Sequence, residues 1–321
     1  MIFKRPFFWI VIGVSALLAL LPLWGNDATL RETLILSAVA VILATNLNLM
    51  IGYTGYVNFG NVIFFGLGGY IGLYLTTVRG WHLITAALAA GLAVSLFTLL
   101  FGLAILSLRG AYFALATIGI LEAVRAFVSN FAPWGKAAGL YVSFAVYQPL
   151  GGPMRAVWLA YFLVIAVFCL SLLLSLAIKN SKFGLALFAI REDEDAAVTL
   201  GVNARFYKAR IFSLSAFLPA VAGALIYFKS GMIDPGEAFE LTVSIEVIVM
   251  MMLGGQGSIM GAALGAALYE QLRGYLLTSP SLSHFQLVIA GGLLLVIVQF
   301  APGGLIGWLY RLVPGARRLF E

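Results

Sequence analysis

Cysteine is almost missing from this chain. Cys169 is the only one in 321 residues, so no disulfide can close within it. Histidine is nearly as scarce: His82 and His284 stand far apart. A metal site draws on several N, S or O ligands, and none is expected here. Charge is the third shortage, at 10% of residues against about a quarter in an average soluble domain. So few carboxylates and histidines supply no cluster of catalytic groups, which argues against an enzyme, soluble or membrane-embedded. The nucleotide-binding pattern G-x-x-x-x-G-K-[ST] is also absent. Gly254-Gly255-Gln256-Gly257-Ser258 has the glycines of a phosphate loop but not the lysine, and the lysine is what reaches the phosphates.

Hydrophobic residues fill the space: 62% of the chain, with a mean hydropathy of +1.04. That balance excludes a soluble globular domain, a disordered chain and a nucleic-acid-binding domain; no nucleic-acid partner is expected, despite a net charge of +6. The apolar runs are long, whereas a membrane barrel shows short alternating strands. The expected fold is therefore an all-α polytopic membrane protein in a lipid bilayer. A span takes about 20 apolar residues. Ten candidates run at 7–24, 33–51, 62–78, 83–106, 111–128, 157–178, 211–228, 241–253, 258–277 and 285–300. The first follows Lys4 and Arg5, so a cleaved signal peptide competes with an uncleaved helix. No small-x-small cleavage site follows it, which favours the uncleaved helix.

Lysine and arginine placement orients the spans. With ten spans and a cytoplasmic N-terminus, twelve of the nineteen Lys and Arg residues fall inside. The densest cluster, at 179–210, and the basic tail both fall there. The expected arrangement is one transmembrane domain over 1–321, with both termini cytoplasmic. It carries a long extracytoplasmic loop at 129–156 and a polar cytoplasmic loop at 179–210. The outer loop is either a lid or docking surface, or a plain connector.

Within the inner loop, Arg191-Glu192-Asp193-Glu194-Asp195 precede Ala196, Ala197, Val198, Thr199, Leu200 and Gly201. Carboxylates suit the positive end of a helix dipole, and glycine supplies a left-handed stop. A short helix is expected from about Asp193 to Leu200. Before it, Phe183, Leu187 and Ile190 share one helical face. Two short, partly apolar helices suit docking into another protein's groove.

Asp195-Ala196-Ala197, three residues, Gly201, nine residues and Ile211 resemble the Glu-Ala-Ala loop of ABC importer membrane subunits. Asp replaces the usual Glu, and Ser213-Leu214 replace a closing Leu-Pro. Ser181-Lys182-Phe183-Gly184, Leu200-Gly201-Val202, Tyr207-Lys208, Gly52-Tyr53-Thr54-Gly55 and Phe64-Phe65-Gly66 narrow the likeness. So do Gly110-Ala111-Tyr112-Phe113, Leu253-Gly254-Gly255-Gln256-Gly257 and Ala301-Pro302-Gly303-Gly304. Together they are similar to the LivM-type permeases of branched-chain amino-acid ABC importers. The resemblance covers about 52–305. It implies a coupling helix at Asp195, Ala196, Ala197 and Gly201 that seats on an ATP-binding subunit. It further implies two ATP-binding subunits, a second homologous permease and an extracytoplasmic substrate-binding protein in a bacterial inner membrane. ATP and Mg would bind those partners; no cofactor is expected in this chain. Leucine, isoleucine and valine are the default cargo, with urea, short amides or other small organic acids as alternatives.

Two glycine-rich segments mark the expected helix breaks. Residues 52–72 hold seven glycines, which either line the path or pack helices closely. Gly257, Gly261 and Gly265 recur every four residues, a face for helix packing. Asn46, Thr54, Gly55, Asn58, Gly60 and Asn61 are the candidate path residues, joined by the intramembrane carboxylates Glu122 and Glu246. Glu122 with Arg125, and Glu270 with Arg273, have the spacing of neutralising pairs; Glu246 has no partner within a turn. If such carboxylates were ion sites, the chain would be a secondary transporter, which leaves the Asp-Ala-Ala loop unexplained. Relatives often have Gln, Ser and His where this chain has Tyr56, Asn58 and Asn61.

Overall fold

The computed structural model describes residues 6–25, 27–278, 286–300 and 303–312. Lys4, Arg5, His284, Ala301, Pro302 and the basic tail with Arg317 and Arg318 lie outside the described residues.

A helix lies at each of the ten stretches expected from hydropathy. They are α1 (Pro6–Gly25), α2 (Ala28–Thr54), α3 (Val62–Thr77), α4 (Leu83–Ile105), α5 (Ala111–Asn130) and α6 (Pro153–Lys179), then, after the short α7 (Lys182–Glu192) and α8 (Glu194–Thr199), α9 (Ala204–Ser230). After one turn at α10 (Pro235–Ala238) come α11 (Leu241–Gly254), α12 (Ile259–Thr278) and α13 (Gln286–Phe300), which completes the ten; α14 (Gly304–Leu312) lies beyond them. Five of these, α2, α4, α5, α6 and α9, are long and apolar enough to cross a membrane. α1 and α3 hold shorter apolar stretches. α11 has 14 residues, which reach about 21 Å, short of a ~30 Å hydrocarbon core.

α9 is the central post, packed against α2, α3, α4 and α6. Its contact with α3 depends on missing side chains. A Cβ at Gly68 would stand 2.1 Å from the Ala220 carbonyl oxygen, and one at Gly223 would stand 2.0 Å from that of Phe65. α4 shows the opposite face of membrane chemistry. Ala87, Ala90, Gly91 and Val94 are buried towards α9, while Leu88, Leu92, Leu96 and Leu100 are exposed at four-residue spacing. That leucine stripe suits acyl chains.

Helix ends gather in two groups. At one end, the C-termini of α2 and α4 meet the 179–210 loop and the α11–α12 turn, through Arg191, Arg205, Gln256 and Gly257. At the other, Lys229 of α9 pairs with Glu32 of α2. Tyr147 donates to the Phe228 carbonyl at 2.9 Å, and Arg31 lies 4.8 Å over the Trp158 ring. The 129–156 segment belongs to this second end. It is ordered by 3₁₀ turns and a two-residue strand, β1 (Leu140–Tyr141), antiparallel to β2 (Met232–Ile233). Trp134 stacks on Tyr70 of α3 at 5.3 Å. The segment is thus a folded cover on α3 and α9.

Candidate functional site

The polar loop builds its helices by capping. The Ser181 hydroxyl accepts from the Gly184 amide at 3.1 Å and starts α7. Asp193 ends α7 and starts α8, its carboxylate accepting from the Asp195 and Ala196 amides at 3.0 and 2.9 Å. Each cap satisfies amides that a helix start leaves unpaired. Gly201, at φ +89°, closes α8 in the left-handed region where glycine is unstrained. Ala197 is buried against Ile190 and Ala204, so it serves the loop's own small core. Asp195 and Ala196 are exposed, as are Val198 at 51% and Leu200 at 85%. The outward face of this loop is therefore apolar at its tip.

Beneath α8 lies a polar cluster. Lys208, near the start of α9, is 2% exposed. Its ammonium donates to Glu194 Oε1 at 2.7 Å, to the Tyr56 hydroxyl at 2.9 Å and to the Leu106 carbonyl at 3.1 Å. Tyr56 in turn donates to Glu194 Oε2 at 2.7 Å. Burial works against ionisation of Glu194, but the hydrogen bonds from Lys208 and Tyr56 outweigh it and hold its carboxyl below the usual range. Outside the cluster, Arg109 grips Asp195 with two bonds, at 2.8 and 3.1 Å. That pairing lowers the Asp195 pKa and raises that of Arg109. One turn earlier, Arg191 donates to the Gly52 carbonyl at 2.6 Å.

These contacts converge on a break between α2 and α3. Gly55, at φ +76°, caps α2, and residues 55–61 run without a regular helix before α3 begins. The break is held inside the bundle. The Asn58 side chain accepts from the Gly60 amide at 2.9 Å. Asn61 donates to the Ser244 carbonyl of α11 at 3.4 Å, and the Phe59 amide donates to Thr117 of α5 at 3.1 Å. The α11–α12 turn joins it: Gln256 donates to the Ile51 carbonyl at 3.0 Å, and the Gly257 amide to Asn48 at 2.8 Å.

Asn58 borders two narrow cavities. The first, with Gly60, lies between α3, α4, α5 and α9, and Phe64, Thr98, Thr117 and Phe212 complete its wall. The second, with Asn61, lies between α2, α3 and α9. The other candidates lie elsewhere. Asn46 faces α6, donating to Ser171 at 2.8 Å. Thr54 turns back to the Met50 carbonyl at 2.6 Å. Glu246 finds its partner on the next helix, Arg273 of α12 at 3.3 Å, and Arg273 also holds Glu270 at 3.5 Å. Glu122 and Arg125 sit 4.0 Å apart on the outward face of α5, 56% and 42% exposed at the side chain. The glycines divide as well: Gly66, Gly68, Gly69 and Gly72 pack α3 against its neighbours, while Gly60 borders the first cavity. Among the described residues, no group of His, Cys, Asp and Glu could hold a metal ion.

Sequence reasoning did not single out Glu194, Lys208, Arg109 or Arg191 as partners of the break. One signal was available. Ala204, Lys208, Ile211 and Ser215 fall at i, i+4, i+7 and i+11, placing the lysine on the buried face of an apolar helix.

A multi-pass helical protein whose capped polar loop grips a helix break has the outline of a transport subunit. Residues 29–298 match the model for the permease component of branched-chain amino acid transport systems, and the chain belongs to that family. It is thus an ABC permease of the bacterial inner membrane, one component of a larger transporter. It is 28% identical to the high-affinity branched-chain amino acid permease LivM of Escherichia coli, over 84% of this chain and 68% of the relative. It is 32% identical to LivH of Salmonella typhimurium over 44% of this chain and 46% of the relative. It is 31% identical to the ribose import permease RbsC of Bacillus subtilis over 43% and 46%. No solved structure matches the chain.

Proposed function

We propose that this chain forms the translocation path of an ATP-driven importer for branched-chain or related small amino acids. It works by alternating access, powered by two separate ATP-binding subunits that hold ATP and Mg. A second homologous permease completes the membrane unit, and an extracytoplasmic binding protein delivers and selects the cargo. The ten helices at the hydropathic stretches are the spans of one domain, 1–321. The 179–210 loop and both termini are cytoplasmic, and 129–156 faces outward.

The observation that carries this reading is α8. A six-residue helix, capped at both ends, presents exposed Val198 and Leu200 from a polar loop. Such an apolar tip on a charged loop fits a groove on a soluble partner. Asp195, Ala196 and Gly201 shape that tip, and Ala197 anchors it from below. The path is best supported at Asn58, Gly60 and Asn61, whose amides and backbone border the two narrow cavities. Thr54 and Gly55 end the helix leading into it, and Glu122 stands on the open face of α5. Asn46 and Glu246 are engaged in helix packing.

The test is copurification from cells expressing the whole operon. ATP-binding subunits should accompany the parent chain. Leu200→Asp puts a charge at the exposed tip without touching the loop's core, and association should fall about tenfold or more, as for loss of an interface anchor. Undiminished association of Leu200→Asp would remove α8 as the docking element.

A further inference from the structure

The loop is tied to the helix break at two points, one on each side of Gly55. Arg191 holds the Gly52 carbonyl at 2.6 Å, and Glu194 holds the Tyr56 hydroxyl at 2.7 Å. The second tether is a closed ring. A lysine ammonium has three donors, and Lys208 spends them on Glu194, Tyr56 and the Leu106 carbonyl. Tyr56 returns its own proton to the other oxygen of Glu194. The Lys208 ammonium also lies 4.4 Å from the centre of the Tyr56 ring. Removing Glu194 from this ring leaves a buried ammonium without its counter-charge, which is strongly unfavourable. A moving α8 must therefore carry Tyr56 with it, or stay in place.

Tyr56 leads directly into Asn58, Gly60 and Asn61. Between the tethers, Gly55 sits at φ +76°, the left-handed geometry of a chain reversal at the end of α2. We infer that the Glu194–Tyr56–Lys208 ring is the link that converts displacement of α8 into movement of the 55–61 break, with Glu194 and Tyr56 as positioning residues. This rests on the proposed docking role of α8 and goes beyond it. Asp195, the residue aligned with the motif, is gripped from outside by Arg109; its neighbour Glu194 reaches the path. Burial, ring closure and the hinge glycine all place the transmitting contact at Glu194.

The experiment uses the assembled transporter, with its ATP-binding subunits and binding protein, in proteoliposomes, and reads transport per ATP hydrolysed. Tyr56→Phe deletes only the hydroxyl and keeps the ring, which packs edge-on against Phe113 at 5.2 Å. We expect ATP-binding subunits to remain associated and to hydrolyse ATP, while leucine transport per ATP falls about tenfold, as for loss of a hydrogen bond to a charged group. Glu194→Gln, which also takes the counter-charge from Lys208, should lower transport per ATP at least as far. Because both act through one ring, the double variant should be no worse than the more impaired single variant. Two results overturn the link: Tyr56→Phe with unchanged transport per ATP, or a double variant whose defect is the product of the two single defects. A parent chain that binds no ATP-binding subunit would overturn the proposed function itself, and the link with it.

Discussion

Glu194 and Asp195 are adjacent carboxylates that share Arg109, at 3.8 and 2.8 Å, but take their hydrogen bonds from different partners. Glu194 points inward to Lys208 and Tyr56, and Asp195 points outward to Arg109. Both are held below the ordinary carboxylate range, so each favours the folded loop while ionised. That contribution is complete above the unfolded pKa, near pH 4, and is lost as pH falls through the depressed folded values. Amide hydrogen exchange of α8, corrected for intrinsic rates, should therefore show constant protection from about pH 8 to 5 and a loss below about pH 4. Protection that is flat through acid would mean the carboxylates do not hold α8. The sequence made Asp193, Asp195 and Gly201 legible because caps and stops act locally. It did not reveal Glu194 with Lys208 and Tyr56, since those contacts bridge 14 and 138 positions.

Hydropathy located helices well because each must satisfy its own backbone in an apolar surrounding. It did not decide what the glycines of 52–72 are for. Most of them set the α3 approach to α9 and to the α10–α11 region, and Gly60 borders a cavity. A methyl at Gly68 has nowhere to go, with backbone atoms of Ala220 between 2.1 and 2.6 Å from it. Gly68→Ala should destabilise the subunit by about 1–3 kcal/mol through overpacking, read as a lower thermal midpoint in detergent. Gly119→Ala, on open α5 surface with nothing within 4 Å, is the matched comparison and should leave the midpoint unchanged or slightly raised. Equal midpoints for the two would refute the packing assignment.

At the level of the molecule, α5 stands out. It is long and apolar enough to cross a membrane, yet few of its residues are buried. Tyr112, Leu115 and Phe127 are exposed beside Glu122 and Arg125. A charged pair on a membrane helix is costly against acyl chains and belongs in a protein interior or a wet cavity. The exposed face of α4, with its leucine stripe, carries no charge and has no such demand. In the assembled transporter, a photo-cross-linker at Leu115 should capture the second permease proposed above, and one at Leu92 should capture lipid. Lipid alone at both sites would show that α5 faces the bilayer and that the paired permease sits elsewhere.

The sequence by itself determined that this is a helical membrane protein without its own nucleotide loop. It also set where the helices lie and where the polar loop caps and stops. These properties follow from composition, period and local capping, each decided within a few residues or turns. Only the tertiary structure decided which carboxylate reaches the helix break, which asparagines border a cavity and which glycines are contact points. Those outcomes depend on which helices are neighbours. Glu246 illustrates the reason: it meets Arg273 only because α11 and α12 pack side by side through Gly254, Gly261 and Gly265.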